Sequence, residues 1–398
     1  MDVRTIVEVL VKIALLVGGL MTAAAYFVLL ERWIAAWVQD RRGPNRVGIP
    51  LTKIALFGLG QPLADGLKII LKEEYTPAHV DKPLYRIAPL SILAAALAVF
   101  AVIPFGSVLP PGALGGEVGE RIQLVVAPGV DVGMIYVFAL SSIAVYGVIL
   151  GGWASNNKYS FLGGLRSSAQ LIAYEIPLGL GILGVVLATG SLRLENIIEQ
   201  QAASGVWNAI AQPLGFVVLV VASFAEAARV PFDLPEAEQE LIGGYHTEYS
   251  GMKLLMYLVA EFLHMITASF LIVILFLGGW HFWGITGSGE EVTWLGAILR
   301  VVVLLTKIFG VIVFFMMVRW SWPRFRFDQL MALAWKVMLP LGLVNLVAVA
   351  ILVEFAEDLP GGALLTVAVG WGVAIAAWTL AGLAAPLLTD NRPRRTTG

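Results

Sequence analysis

The apolar positions come in long unbroken runs, close to the roughly 20 residues a helix needs to cross a bilayer core of about 30 Å. Nine such runs stand out: Ile6–Leu30, Ile87–Phe105, Val132–Trp153, Gln170–Thr189, Pro213–Arg229, Leu254–Trp280, Ala297–Val318, Val337–Phe355 and Leu364–Leu388. None alternates with period two, as barrel strands would. Helices and closed barrels are the only structures that satisfy backbone polar groups in lipid. The pattern predicts an all-α, polytopic integral membrane protein with about nine transmembrane helices. The first run is too long for a signal-peptide core and has no small-residue cleavage site, so it reads as a retained span.

A different pattern fills the segment after the first run. Leu63, Leu67, Ile70 and Leu71 recur at helical spacing, with Asp65, Lys68 and Lys72 elsewhere and Pro62 in the first turn,. This predicts an amphipathic helix too short and charged to span, lying along the membrane interface. It is either a plain surface helix or one wall of an entrance from the lipid.

Lysine and arginine positions set the orientation. Twenty of them fall in alternate loops and the tail: after the first, third, fifth and seventh runs and beyond the ninth. The opposite side holds only Arg4, Arg121 and Arg193. The expected arrangement has the N-terminus outside and the C-terminus in the cytoplasm. The inner loops are long and charged, and the outer ones glycine-rich, so partners are expected on the inner face.

Composition sharpens the class. Of 398 residues 59% are hydrophobic and 14% charged, the formal net charge is −2, and cysteine is absent. Soluble chains carry nearer a quarter charged residues. A soluble enzyme, a disordered chain and a nucleic-acid binder are excluded, as are disulfides, iron–sulfur clusters and zinc-thiolate sites on this chain. The four histidines are scattered, and Glu261-x-x-His264 has no second copy to complete a di-iron pattern,. No Walker or dinucleotide-binding sequence follows a strand.

Ionisable residues within the runs are the sharpest signal, because each costs about 2.5–3.5 kcal/mol at the bilayer centre on insertion scales. Glu175, Glu226 and Glu261 come from three successive runs, all toward the inner side. Clustered at low dielectric, they would not all ionise together. Interhelical hydrogen bonding is the simpler alternative. Lys307 falls near the middle of the seventh run and needs a partner. In the third inner loop, Asp233 and Glu236 fit an N-cap box with Pro235 near the helix start,. Glu236 and Glu240 therefore read either as a solvated helix start or as part of an acidic funnel.

Seven stretches carry a family resemblance: Gln39–Gly48, Gln61–Lys68, Gly152–Ser160, Tyr174–Pro177, Pro231–Glu238, Gly244–Gly251 and Pro323–Gln329. In this order, across the long inner loops, they resemble the H subunit of bacterial NADH:quinone oxidoreductase, respiratory complex I. The resemblance covers Met1 to about Phe355. It implies a complex I membrane domain over residues 1–355, with residues 356–398 an added helix and a short basic tail. It also implies a quinone tunnel shared with docked soluble subunits, with quinone as substrate and no prosthetic group on this chain. Flavin mononucleotide and iron–sulfur clusters would sit on partner subunits, and other membrane-arm subunits would adjoin. Matching tunnel positions are Glu31, Arg32, Arg41, Asp65, Lys68, Arg229, Arg324 and Arg326. An acidic path toward proton pumping would use Glu175, Glu226, Glu236, Glu238, Glu240, Glu248 and Glu261. Trp33 stands where the family often has a second basic residue. Two other readings share some features: a homologous membrane subunit of a membrane-bound hydrogenase, and a stand-alone proton or cation transporter. The transporter reading predicts an internal repeat around a midplane site, and no repeat is visible.

Overall fold

The computed structural model describes residues 3–48, 57–110, 123–233, 243–286, 293–355 and 362–388. Its elements are α1 (Val3–Val38), α2 (Gln61–Ile70), α3 (Lys82–Ala98), α4 (Gly133–Ala154), α5 (Lys158–Thr189), α6 (Leu194–Ser204), α7 (Asn208–Ala211) and α8 (Pro213–Glu226). They continue with α9 (Gly251–Phe276), α10 (Trp283–Thr286), α11 (Trp294–Ser321), α12 (Phe327–Leu333), α13 (Leu339–Glu354) and α14 (Gly362–Leu388). Among the described residues there is no strand, only an isolated bridge between Val108 and Gln123. Among the described residues, eight helices are long and apolar enough to cross a membrane, and α8 is a shorter apolar helix. The all-α polytopic expectation holds.

The bundle is organised around α9. From Phe262 to Phe276 every residue but His264 is buried, and α9 touches α1, α3, α8 and α11. Tyr85, Phe100, Tyr174, Tyr257 and Phe315 fill the spaces between helices. The α4–α5 hairpin closes tightly because Gly152 faces Gly164. A Cβ on Gly152 would stand 2.8 Å from the Ser160 carbonyl oxygen. The Asn157 side chain caps α5 by accepting from the Tyr159 N–H at 3.0 Å,. Inside α5, Gln170 donates to the carbonyls of Ala225 (3.0 Å) and Phe232 (2.7 Å), tying the segment beyond α8 to the bundle.

Two helices run further than their apolar patterns. α1 continues past Leu30 to Val38 and carries Glu31 and Arg32 within it, while α5 starts at Lys158, twelve residues before the expected Gln170. Apolar runs stop at charges, but a helix continues while its charged side chains find partners. The fifth span goes the other way. α8 has 14 residues, roughly 21 Å at 1.5 Å per residue, less than a full crossing. It is preceded by the short α7 and a bend at Gln212. α14 packs on α7, α8 and α13. Gly370 permits the approach, since a Cβ there would collide with the Ala211 carbonyl oxygen.

The amphipathic helix forms as expected at α2, with Pro62 in its first turn. Leu63, Leu67, Ile70 and Leu71 are all exposed, leaving its apolar face largely uncovered among the described residues.

Two cavities and the candidate functional site

A cavity of about 1260 Å³ lies between α1, α2, α9 and α11. The turn segment from Arg41 to Val47 forms its rim. Its wall along α1 is apolar, with Met21, Ala24, Ala25 and Val28, and its polar residues gather toward the end of the bundle that carries the basic loops. Two of its polar residues, Glu31 and Arg229, are buried. Arg229 Nη1 donates to both Glu31 carboxylate oxygens, at 3.2 and 3.4 Å, and Arg319 pairs with the same carboxylate. The Arg229 guanidinium also lies 4.4 Å from the centre of the Phe262 ring. A carboxylate between two guanidiniums meets the requirement that buried charge be paired. Nearer the surface, Asp65 of α2 accepts from Arg32 Nη1 at 2.6 Å and from Gln61 Nε2 at 2.8 Å. That contact joins the interfacial helix to α1.

A second space, of about 60 Å³, opens between α4, α5, α8 and α9. A water needs roughly 10–15 Å³ of such volume, so a few waters fit. Its polar lining is acids and hydroxyls: Glu175, Glu226 and Glu261, with Ser141, Ser142 and Ser167, plus His264 and Tyr245. Ser141 donates to Glu226 and Ser142 donates to Glu175. Glu261 lines both spaces. Among the described residues, no lysine or arginine lines the smaller one.

Of the tunnel positions expected from the sequence, Glu31, Arg32, Arg41, Asp65 and Arg229 line the wide cavity. Lys68 sits on α2 outside that lining. Arg324 is held by Asp233 at 3.1 Å, and Arg326 by Asp328 at 3.3 Å on the surface. Of the acidic path, Glu175, Glu226 and Glu261 come together, whereas Glu236, Glu238 and Glu240 lie outside the described residues. So does the expected helix start at Pro235. Glu248 lines neither space. Its carboxylate accepts from Asn157 Nδ2 at 2.6 Å, and its carbonyl accepts from the Tyr85 hydroxyl at 2.6 Å. Tyr249 stacks on Tyr85 with ring centres 4.1 Å apart. Burial pushes the Tyr249 hydroxyl well above the usual tyrosine range, so it stays protonated,.

Lys307 belongs to neither space. Its amine donates to the carbonyls of Leu277 (2.6 Å), Gly279 (3.0 Å) and His281 (2.7 Å), closing the end of α9. Its three protons all have acceptors, which resolves the need for a partner. Burial, then the charges of Lys307 and Arg300, hold the His281 imidazole below its usual range.

Sequence reasoning missed Arg319, Ser141 and Ser142 as site residues. Arg319 stands in the last turn of a span, the same kind of position as Glu31, and that signal was readable. A pair of serines in an apolar helix gives no signal until their neighbours are known.

Fold and cavities together define a polytopic helical membrane protein with a wide, part-apolar cavity beside a small chamber lined by acids. Residues 11–350 match the family model described as NADH dehydrogenase, and the chain belongs to that family. It is 45% identical to an NADH-quinone oxidoreductase H subunit of Cytophaga hutchinsonii, over 86% of this chain and 96% of that protein. It is 46% identical to the corresponding H subunit of Geobacter metallireducens, over 85% and 94%, and 45% identical to that of Protochlamydia amoebophila, over 83% and 92%.

Proposed function

We propose that this chain is the membrane subunit of a proton-translocating NADH:quinone oxidoreductase. In this reading the wide cavity admits quinone from the lipid and the acid chamber couples its reduction to proton movement. The observation that carries the reading is Glu261, the residue common to both spaces. The names of the relatives support it.

A quinone has a polar head and an apolar tail, and the wide cavity matches that division. The tail runs along Met21, Ala24, Ala25 and Val28 of α1, while Arg41, Arg32 and Asp65 face the head. The Glu31 pairing with Arg229 and Arg319 keeps those charges in place without a bound molecule. Reduction to quinol takes up two electrons and two protons. The electrons come from NADH through flavin and iron–sulfur groups on soluble subunits docked over the basic loops, where Lys68, Arg324 and Arg326 lie. Proton uptake at the quinone changes the charge felt at Glu261, and Glu226 and Glu175 carry that change across the bundle. The basic loops face the cytoplasm, and the N-terminus lies outside. Residues 1–355 form the working unit, and 356–398 add a helix at its side. Glu236, Glu238, Glu240 and Glu248 belong to the acidic approach on the inner face.

Glu226→Gln tests the reading. Glutamine keeps the size and the bond from Ser141 but cannot carry a proton. The ratio of protons moved to NADH oxidised in reconstituted vesicles should fall by more than half, with electron transfer to a water-soluble acceptor unchanged. A wild-type ratio would remove Glu226 from the path.

A further inference from the structure

Two of the three acids of the small chamber, Glu226 and Glu175, are held by two consecutive serines on one helix. Successive residues of an α-helix point about 100° apart. Ser141 therefore reaches α8 and donates to Glu226, while Ser142 reaches α5 and donates to Glu175. The two serines differ in what else they can reach. A hydroxyl carries one proton and two lone pairs. Ser142 has a second acceptor, the Phe138 carbonyl oxygen one turn back on its own helix, at 3.0 Å. This is the back-bonding position that serine takes up inside helices. Among the described residues, Ser141 bonds only to Glu226.

We propose that Ser142 is a positioning residue, a two-way hydroxyl that serves Glu175 in both its charged and its protonated form. With Glu175 charged, the serine proton points to the carboxylate. When Glu175 takes up a proton, its new O–H donates to Ser142 Oγ, and the serine proton turns to the Phe138 carbonyl. The serine keeps its own proton throughout, and neither state leaves a donor unmatched. An unmatched buried polar group is what would otherwise penalise one state. Ser142 thereby lets Glu175 change its charge without leaving a hydrogen-bond donor unmatched. The proposal rests on the reading that Glu175 lies on the proton path.

The test uses the whole complex in vesicles with Ser142→Ala, Ser142→Thr and Glu175→Gln. Redox-induced infrared difference spectra identify the Glu175 carboxyl band as the one that Glu175→Gln removes. Alanine should shift that band and lower the protons moved per NADH by more than half, and threonine, which keeps the hydroxyl, should restore both. Electron transfer to a water-soluble acceptor should be unchanged in all three. If alanine prevents assembly, Ser142→Cys replaces it, with a shifted band expected. An unmoved band and wild-type pumping in the alanine or cysteine complex, with pumping lost in Glu175→Gln, would overturn the role of Ser142 and leave the path intact. Wild-type pumping in Glu175→Gln would instead bring down the path itself, and this inference with it.

Discussion

The two cavities hold the same chemical group, a glutamate inside the bundle, and give it opposite company. In the wide cavity Glu31 sits between two guanidiniums, and Asp65 balances a third. In the small chamber Glu175 and Glu226 meet serine hydroxyls, and no lysine or arginine among the described residues is in the lining. A carboxylate matched by cations fixes a shape, because gaining a proton would strand the cation. One matched by a hydroxyl can change its charge, because the hydroxyl serves as donor or acceptor. The partner, more than the residue type, decides which glutamates hold the bundle together and which are suited to proton traffic.

Breaking the cation-matched site should give the largest effect. Glu31→Gln leaves the buried Arg229 without its full counter-charge, and removing one member of a buried pair typically costs about 3–5 kcal/mol. The melting temperature of the purified complex should fall, and quinone reduction with it. Adding Arg319→Gln to Glu31→Gln should cost less than the two single changes summed, since the residues are in contact,. Simple additivity would show that the pair is not a unit.

Glu261→Gln comes next and tests the junction between the two spaces. The protons moved per NADH should fall by more than half, while electron transfer to a water-soluble acceptor is retained. A lowered melting temperature with unchanged pumping would place Glu261 with Glu31 as a structural acid.

Arg41→Ala should have a narrower effect. Arg41 lines the rim, and its Nε donates to Gln39 at 2.8 Å, two residues away. Its loss should raise the KM for quinone severalfold and leave stability and the water-soluble acceptor rate alone. Equal loss of both activities would point to failed assembly instead.

How much of this was legible in the sequence depended on whether the information was local. The spans were, because apolar runs report lipid directly. The interfacial α2 was too, since Leu63, Leu67 and Ile70 fall on one helical face. Mean hydropathy did not say which helix is central. The best stretch of α1 is as apolar as that of α9, yet 17% of it is buried against 78% for α9. Lipid and protein core are equally apolar environments, so the pattern cannot tell them apart. Glu175, Glu226 and Glu261 stood out because charge in a span is costly. Ser141, Ser142 and the second guanidinium from Arg319 did not, because their role exists only once α5, α8 and α1 are packed beside them.

The smallest effect is expected at the mouth of the wide cavity. Asp65 is also matched by a cation, Arg32, but the two side chains are 30% and 45% exposed. Exposed pairs contribute about 0–1 kcal/mol, because water screens the charges and the side chains lose freedom in pairing. Asp65→Asn keeps an oxygen for the Gln61 amide and removes only the charge. Its melting temperature should stay close to wild type, well above that of Glu31→Gln, with at most a modest rise in the KM for quinone. The comparison is then sharpened, because cation matching would stabilise in proportion to burial. A loss as large as that of Glu31→Gln would show that docked subunits exclude water from the mouth in the assembled complex. The contrast between the two cavities would then have to be drawn between the assembled site and the chamber, with α2 counted among the buried walls.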